Sequence, residues 1–499
     1  MHLWVVPGGR IGSLDAVLER FQLDQHDRRS AMNKQEIPFL TVAELSEMIR
    51  EKEVSPVEAT EAYLDRIDSL NFRFNSYLTI CRNEALEAAR KAETAIVRGD
   101  YIGPMHGIPV AVKDQLWSKG VRTTVGSRLM SDFIPEEDAT AVANLKSSGA
   151  VLLGKTNMTE FALGSAQQYG PNRNPWNLNR FTGGSSGGSG SATAGFLCAT
   201  SLGEDTGGSI RRPAAWCGLA GLRPSWGRVS RYGVAAGSWS MDQVGPISRT
   251  VEDAAITLGA IAGYDSKDPH TWNVPVPDYR IALDGDIRGL RVGAISDLIH
   301  SDITNPEVRD AVLKAGSVLG ELGATVEEVS LPLTVHGGTL SQILIHVESA
   351  MTYRDWVRDS IDEFGHGNRI GLLVGSIMPS SYYYKAQKLR ELTRRQVLDA
   401  LNAYDVLILP TSKSCAPPVE GTDLPITSKG MAADLPPVMT RPFNLTGAPA
   451  MSVSCGFNSE GLPIGLQIGG RPFAEETVLK VGHAYEQATG WHKRRPPSA

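Results

Sequence analysis

Residues 183–190 read Gly-Gly-Ser-Ser-Gly-Gly-Ser-Gly, and residues 203–214 read Gly-Glu-Asp-Thr-Gly-Gly-Ser-Ile-Arg-Arg-Pro-Ala. A flexible Gly/Ser linker would not be followed by an apolar segment, here residues 192–202, and then by a second glycine-rich turn bearing Asp and Arg. The pattern reads instead as two tight turns held against packed structure, with serines at their tips. Nine of the 51 glycines of this 499-residue chain fall between Gly183 and Gly208, so the permissive backbone is concentrated where those serines sit.

Two shorter patterns compete with this reading and fail on physical grounds. Residues 149–156, Gly-Ala-Val-Leu-Leu-Gly-Lys-Thr, match the phosphate-loop pattern. Their four central residues are apolar and read as a strand, whose N–H groups are committed to a ladder rather than to a phosphate. Residues 184–188 match the nucleophile-elbow pattern GxSxG. An elbow follows a strand and works with a later His and acid, whereas residues 177–182 do not read as a strand and no histidine lies near either glycine-rich turn in the sequence.

Working outward, short apolar runs at 108–112 and 150–153 alternate with helical stretches, as expected for a mixed α/β sheet with helices on both faces. Helix starts are marked by Thr41 with Glu44 and by Ser55 with Pro56 and Glu58, both capping boxes. Residues 83–98 read as a helix ending at Gly99. Asp138 reads as the cap of a helix running to about 148, and Thr250 with Asp253 as the cap of 251–262. Further strands are expected at 290–295, 405–409, 451–455 and 464–468. Helices are expected at 306–322, through most of 340–402 around a Tyr-rich turn at 381–384, and at 475–489. Residues 13–23 carry a short amphipathic pattern, so 1–35 reads as an extension or leader. With no composition break between 40 and 492, residues 36–499 read as one large domain. Within it, 40–100 forms a helical layer, 105–260 a catalytic core and 330–445 a variable substrate-loop region.

Composition excludes several function classes. Hydrophobic residues make up 41% and charged residues 21%, which rules out a disordered or fibrous chain. The net charge is −6 and no block of Lys or Arg is present, so no nucleic-acid partner is expected. No apolar run approaches the roughly 18 residues of a membrane span, which points to a cytoplasmic protein without a membrane partner. The five cysteines (81, 198, 217, 415 and 455) are far apart and lack CxxC spacing. Reduced thiols are expected, with no metal and no cofactor.

The run 183–214, together with Gly107-Ile-Pro-Val-Ala-Val-Lys113-Asp114, resembles the amidase signature family of serine hydrolases over roughly residues 40–492. The resemblance implies a single amidase-signature α/β domain in which Ser209 is the nucleophile, Ser185 the bridging serine preceded by a cis peptide bond, and Lys113 the base. It also implies an oxyanion and substrate turn made by Thr206, Gly207, Gly208 and Ser209, supported by Ser186, Asp205 and Arg211. A serine needs a partner to take its proton, and a lysine serves only when neutral, which burial favours. Asp114, next in sequence, would oppose that shift if it turned inward. Pocket walls are expected within 156–175, 335–385 and 412–442, with Met351, Tyr382, Tyr383 and Met439 as candidate apolar lining and Arg212 as a candidate for acidic substrates.

The expected function is a stand-alone, cytoplasmic amidase that cleaves small-molecule amides, with esters, anilides or carbamates (urethanes) as further substrates, acting alone or as a homodimer. The alternative from the same resemblance is the glutaminase subunit of a tRNA-dependent amidotransferase, which would need partner subunits and release ammonia from glutamine.

Overall fold

The computed structural model describes residues 33–164, 166–419 and 438–499. The expected 13–23 helix, and most of the 412–442 loop, lie outside the described residues.

Small and β-branched residues let Pro109–Lys113 and Thr200–Glu204 pack as neighbouring parallel strands, both fully buried, with Val112 opposite Leu202. They belong to an 11-stranded mixed sheet. From edge to edge its strands are Tyr77–Ile80, Val151–Thr156, Pro109–Lys113, Thr200–Glu204, Val244–Ser248, Ala220–Arg223, Ala450–Phe457, Pro463–Gly470, Val406–Pro410, Arg291–Ile295 and Thr325–Val329. Both ends of the sheet contain parallel pairs and its middle is antiparallel. Helices pack on its faces, so the central strands read as continuous apolar runs rather than as alternating ones. This is the single large α/β domain with a mixed, helix-covered sheet that the sequence leads one to expect.

Local signals fare well where the chemistry is short-range. Thr41 and Ser55 form complete capping boxes at Val42–Arg50 and Pro56–Phe74. Arg82–Arg98 ends at Gly99 with φ +97°. Residues 149–156 contribute the strand Val151–Thr156, so the phosphate-loop match is a ladder, as argued above.

Three expectations need correction. Asp138 does not cap the helix Thr140–Ser147. Its carboxylate accepts from the Lys119 N–H at 2.8 Å and from Lys146 at 2.7 Å, and Ala139 stands at the cap. Residues 177–181 do form a strand, paired with Arg173–Asn174 in a hairpin outside the main sheet; its polar sequence hid it. The Tyr-rich stretch is the first turn of the long helix Ser380–Ala403 rather than a separate turn.

Candidate active site

The site lies beyond the carboxyl ends of the parallel strands, the usual crevice in open α/β sheets. Lys113 closes one strand and Glu204 closes its neighbour. Each glycine-rich turn leads into a short helix: Ser185 and Ser186 precede Gly187–Ala194, and Ser209 precedes Arg211–Cys217. The Gly184–Ser185 peptide is cis. The Ser186 N–H donates to Ser209 O at 3.3 Å, which ties the two turns together.

Lys113 is fully buried, and its Nζ lies 2.7 Å from Ser185 Oγ. Burial pushes its amine below the ordinary range, against the opposing pull of Glu204, Asp242 and Asp205. The counter-charge comes from Glu204, not from Asp114. Glu204 Oε2 lies 3.0 Å from Nζ, while the Asp114 carboxylate turns to the Thr124 N–H at 2.8 Å and faces Lys155 at 4.0 Å. Ser186 Oγ donates to Glu204 O at 3.1 Å, the same carbonyl that Lys113 reaches at 3.3 Å.

Thr206 extends this chain. Its Oγ1 sits 2.8 Å from Glu204 Oε1 and 2.7 Å from Asp242 Oδ1. One hydroxyl proton serves only one of these oxygens at a time. Burial first and the nearby Glu204 second push the Asp242 carboxyl up to about 7.

The second turn is fixed from below. Burial works to raise the Asp205 carboxyl, but Arg211 and Arg223 outweigh it and hold the group well below the usual carboxylate range. Arg211 grips Asp205 with two parallel bonds of 3.0 Å and also donates to Thr440 O, Gln467 Oε1 and Asn444 Oδ1. Asp205 in turn accepts the Gly208 N–H at 2.6 Å. That N–H is therefore committed, and Gly208 does not supply the oxyanion donor expected of it; of the expected donors, Gly207 and Ser209 remain. A Cβ on Gly208, at φ +110°, would run into the Thr440 side chain, so that position requires glycine, while one on Gly207 would meet the end of the Arg441 side chain.

Ser209, 8% exposed, opens with Ser185, Thr206 and Gly207 onto a cavity of about 350 Å³. Its walls come from the three expected segments, including Leu163, His346, Leu372 and Arg441. The individual lining candidates do not hold. Met351 and Tyr382 are exposed, Met439 is in the main core, and Tyr383 donates to Glu348 Oε1. Among the residues missed, Glu204 had a signal, a charge at the end of a small-residue strand. Asp242, Arg441, Asn444 and His346 had none, because each meets the site only through the fold.

The family model for Amidase matches residues 58–479. The chain belongs to this family. Among its relatives, a glutamyl-tRNA(Gln) amidotransferase subunit of Moorella thermoacetica is 43% identical, over 92% of this chain and 99% of its own. The crystal structure of the glutamyl-tRNA(Gln) amidotransferase subunit of Thermotoga maritima superposes with a TM-score of 0.76 at 33% identity, covering 90% of this chain and 95% of that one. A bacterial aryl acylamidase of the amidase signature family gives a TM-score of 0.83 at 27% identity, over 92% and 98% of the two chains.

These findings correct the expected function. This is an amide-hydrolysing amidase-family enzyme, but eight curated relatives at 40–43% identity over nearly their whole lengths are all amidotransferase subunits. The stand-alone hydrolase of small amides and urethanes, acting alone or as a homodimer with no nucleic-acid connection, does not stand against them. Family motifs alone could not separate the two, since the resemblance implies the same serines and lysine for both. Among the described residues, no helix is long and apolar enough to cross a membrane.

Proposed function

We propose that this amidase is the amide-hydrolysing subunit of an amidotransferase acting on glutamyl-tRNA, releasing ammonia from glutamine for its partner subunits. The observation that carries the reading is the 43% identity to the Moorella amidotransferase subunit over almost the whole of both chains. The buried Lys113–Ser185 contact supplies a route to an activated serine.

In this reading neutral Lys113 takes the Ser185 proton, Ser185 takes the Ser209 proton, and Ser209 Oγ attacks the amide carbon. The oxyanion faces the Gly207 and Ser209 N–H groups. The relayed proton passes to the departing nitrogen, the C–N bond breaks, and ammonia leaves an acyl-enzyme. Water, deprotonated through the same relay, then releases the acid. Asp205 and Arg211 hold the turn and touch no reacting atom.

Intact-mass analysis after treatment with a fluorophosphonate should find one label on the parent chain and none on Ser209→Ala; a labelled variant overturns the nucleophile. Lys113→Ala should lower turnover by about 10²–10⁴-fold with thermal unfolding unchanged. Glutamine should release ammonia when the chain is assayed with its partner subunits, and inertness there overturns the amidotransferase reading.

A further inference from the structure

Two arginines that line the cavity differ sharply from a third that lies behind it. That third, Arg211, spends its donors on Asp205, Asn444, Gln467 and the Thr440 carbonyl. Arg441 is only 9% exposed, yet its Nε and Nη1 find no hydrogen-bond partner among the described residues. Its guanidinium lies against the Gly207 backbone, filling the place where a Cβ would stand. Arg212 lines the same cavity as Ser209 and makes no ion pair among the described residues. No Asp or Glu is among the residues that line the cavity.

A guanidinium taken out of water without a counter-ion is expensive, and a second one nearby makes it more so. Burial, then Arg212 and Arg211, push the Arg441 guanidinium down to about 9, with Asp205 opposing from behind the turn. An anion arriving from the cavity would answer both charges at once, and the planar fork of arginine matches a carboxylate best.

We propose that Arg441 and Arg212 form a carboxylate clamp beside Ser209, so that the amide this site hydrolyses carries a carboxylate on its acyl chain. The inference rests on the reading of the cavity as an amide-hydrolysing site, and it names the substrate class. Glutamine belongs to that class; the clamp asks for its carboxylate and makes no use of its ammonium.

The test is titration calorimetry on the full chain carrying Ser209→Ala, with glutaramate as the anionic amide and pentanamide as the neutral one of equal length. Glutaramate should bind at least tenfold more tightly than pentanamide. Arg441→Met should remove that preference, weakening glutaramate far more than pentanamide. Arg212→Met, at a position that is not fully enclosed, provides a second variant should the first fail to fold. Equal binding of the two amides by the parent, or an intact preference in both arginine variants, overturns the clamp. Ammonia release from glutamine, by the chain with Ser209 intact and its partner subunits present, separates the two readings. Arginine-dependent glutaramate binding without glutamine hydrolysis keeps the clamp and removes the glutaminase. Glutamine hydrolysis indifferent to Arg441→Met does the reverse.

Discussion

Glu204 controls how readily Lys113 gives up a proton. The buried amine meets Ser185 and Glu204 and feels the charges of Asp242 and Asp205. Burial lowers its basicity, and the three carboxyl groups oppose that effect, with Glu204 foremost. A base works when neutral, so with Lys113 in the proposed role the acidic limb of kcat/KM follows its pKa in the free enzyme. Glu204→Gln keeps the size and the contact to Thr206 but removes the negative charge at 3.0 Å. Lys113 then loses its proton more easily, and the acidic limb should move to lower pH. A profile that stays in place would mean that Glu204 acts only as packing. Rescue of the parent profile by Glu204→Asp would show that the charge is what matters.

At the scale of elements, the helices Val42–Arg50 and Pro56–Phe74 depend on reciprocal caps. Ser55 Oγ accepts the Glu58 N–H at 3.1 Å, and Glu58 Oε2 accepts the Ser55 N–H at 2.9 Å, at the start of the 19-residue helix Pro56–Phe74. Ser55→Ala removes one half of the box and should cost about 1 kcal/mol, read as a lower urea midpoint with an unchanged slope. These caps were legible in the sequence because both partners lie within three residues of each other. The glycine-rich turns were legible for a related reason, since their backbone shape demands glycine locally. Asp138 was misread because a side chain free to cap is also free to bond elsewhere, and here it meets Lys119 and Lys146. The hairpin strand at 177–181 was missed because its polar residues carry no apolar alternation. Glu204 lay inside the decisive stretch but was read as part of a turn, since its partner Lys113 is 91 residues away. Arg441 and Asn444, more than 200 residues from Asp205 and Gly207, are out of reach of any local pattern.

At the scale of the whole molecule, the helices Val42–Arg50, Val251–Ile261 and Glu475–Thr489 meet around two buried carboxyls. Asp253 Oδ1 accepts the Ala43 N–H at 3.2 Å, and both oxygens of Glu486 accept the Val251 N–H at 3.1–3.2 Å. Burial pushes Asp253 up to about 6 and Glu486 up to about 8. The Val251 N–H resists the shift at Glu486, while Asp253 and Glu252 add to it. The folded chain keeps a proton on Glu486 that the unfolded chain releases above about pH 4.3, so this group's contribution is fully present below that point. It is lost as pH rises through about 8. Glu486→Gln retains a carbonyl to accept from Val251 and cannot ionise. Its unfolding temperature should therefore match the parent's near pH 4.3 and exceed it progressively toward pH 8. Unfolding scans at intervals across that range would check this, and parallel curves for the two chains would refute it. The helical layer and the C-terminal helix are joined at this point only through the fold, so an alkaline weakness here would loosen the scaffold behind the sheet without touching the serines that face the cavity.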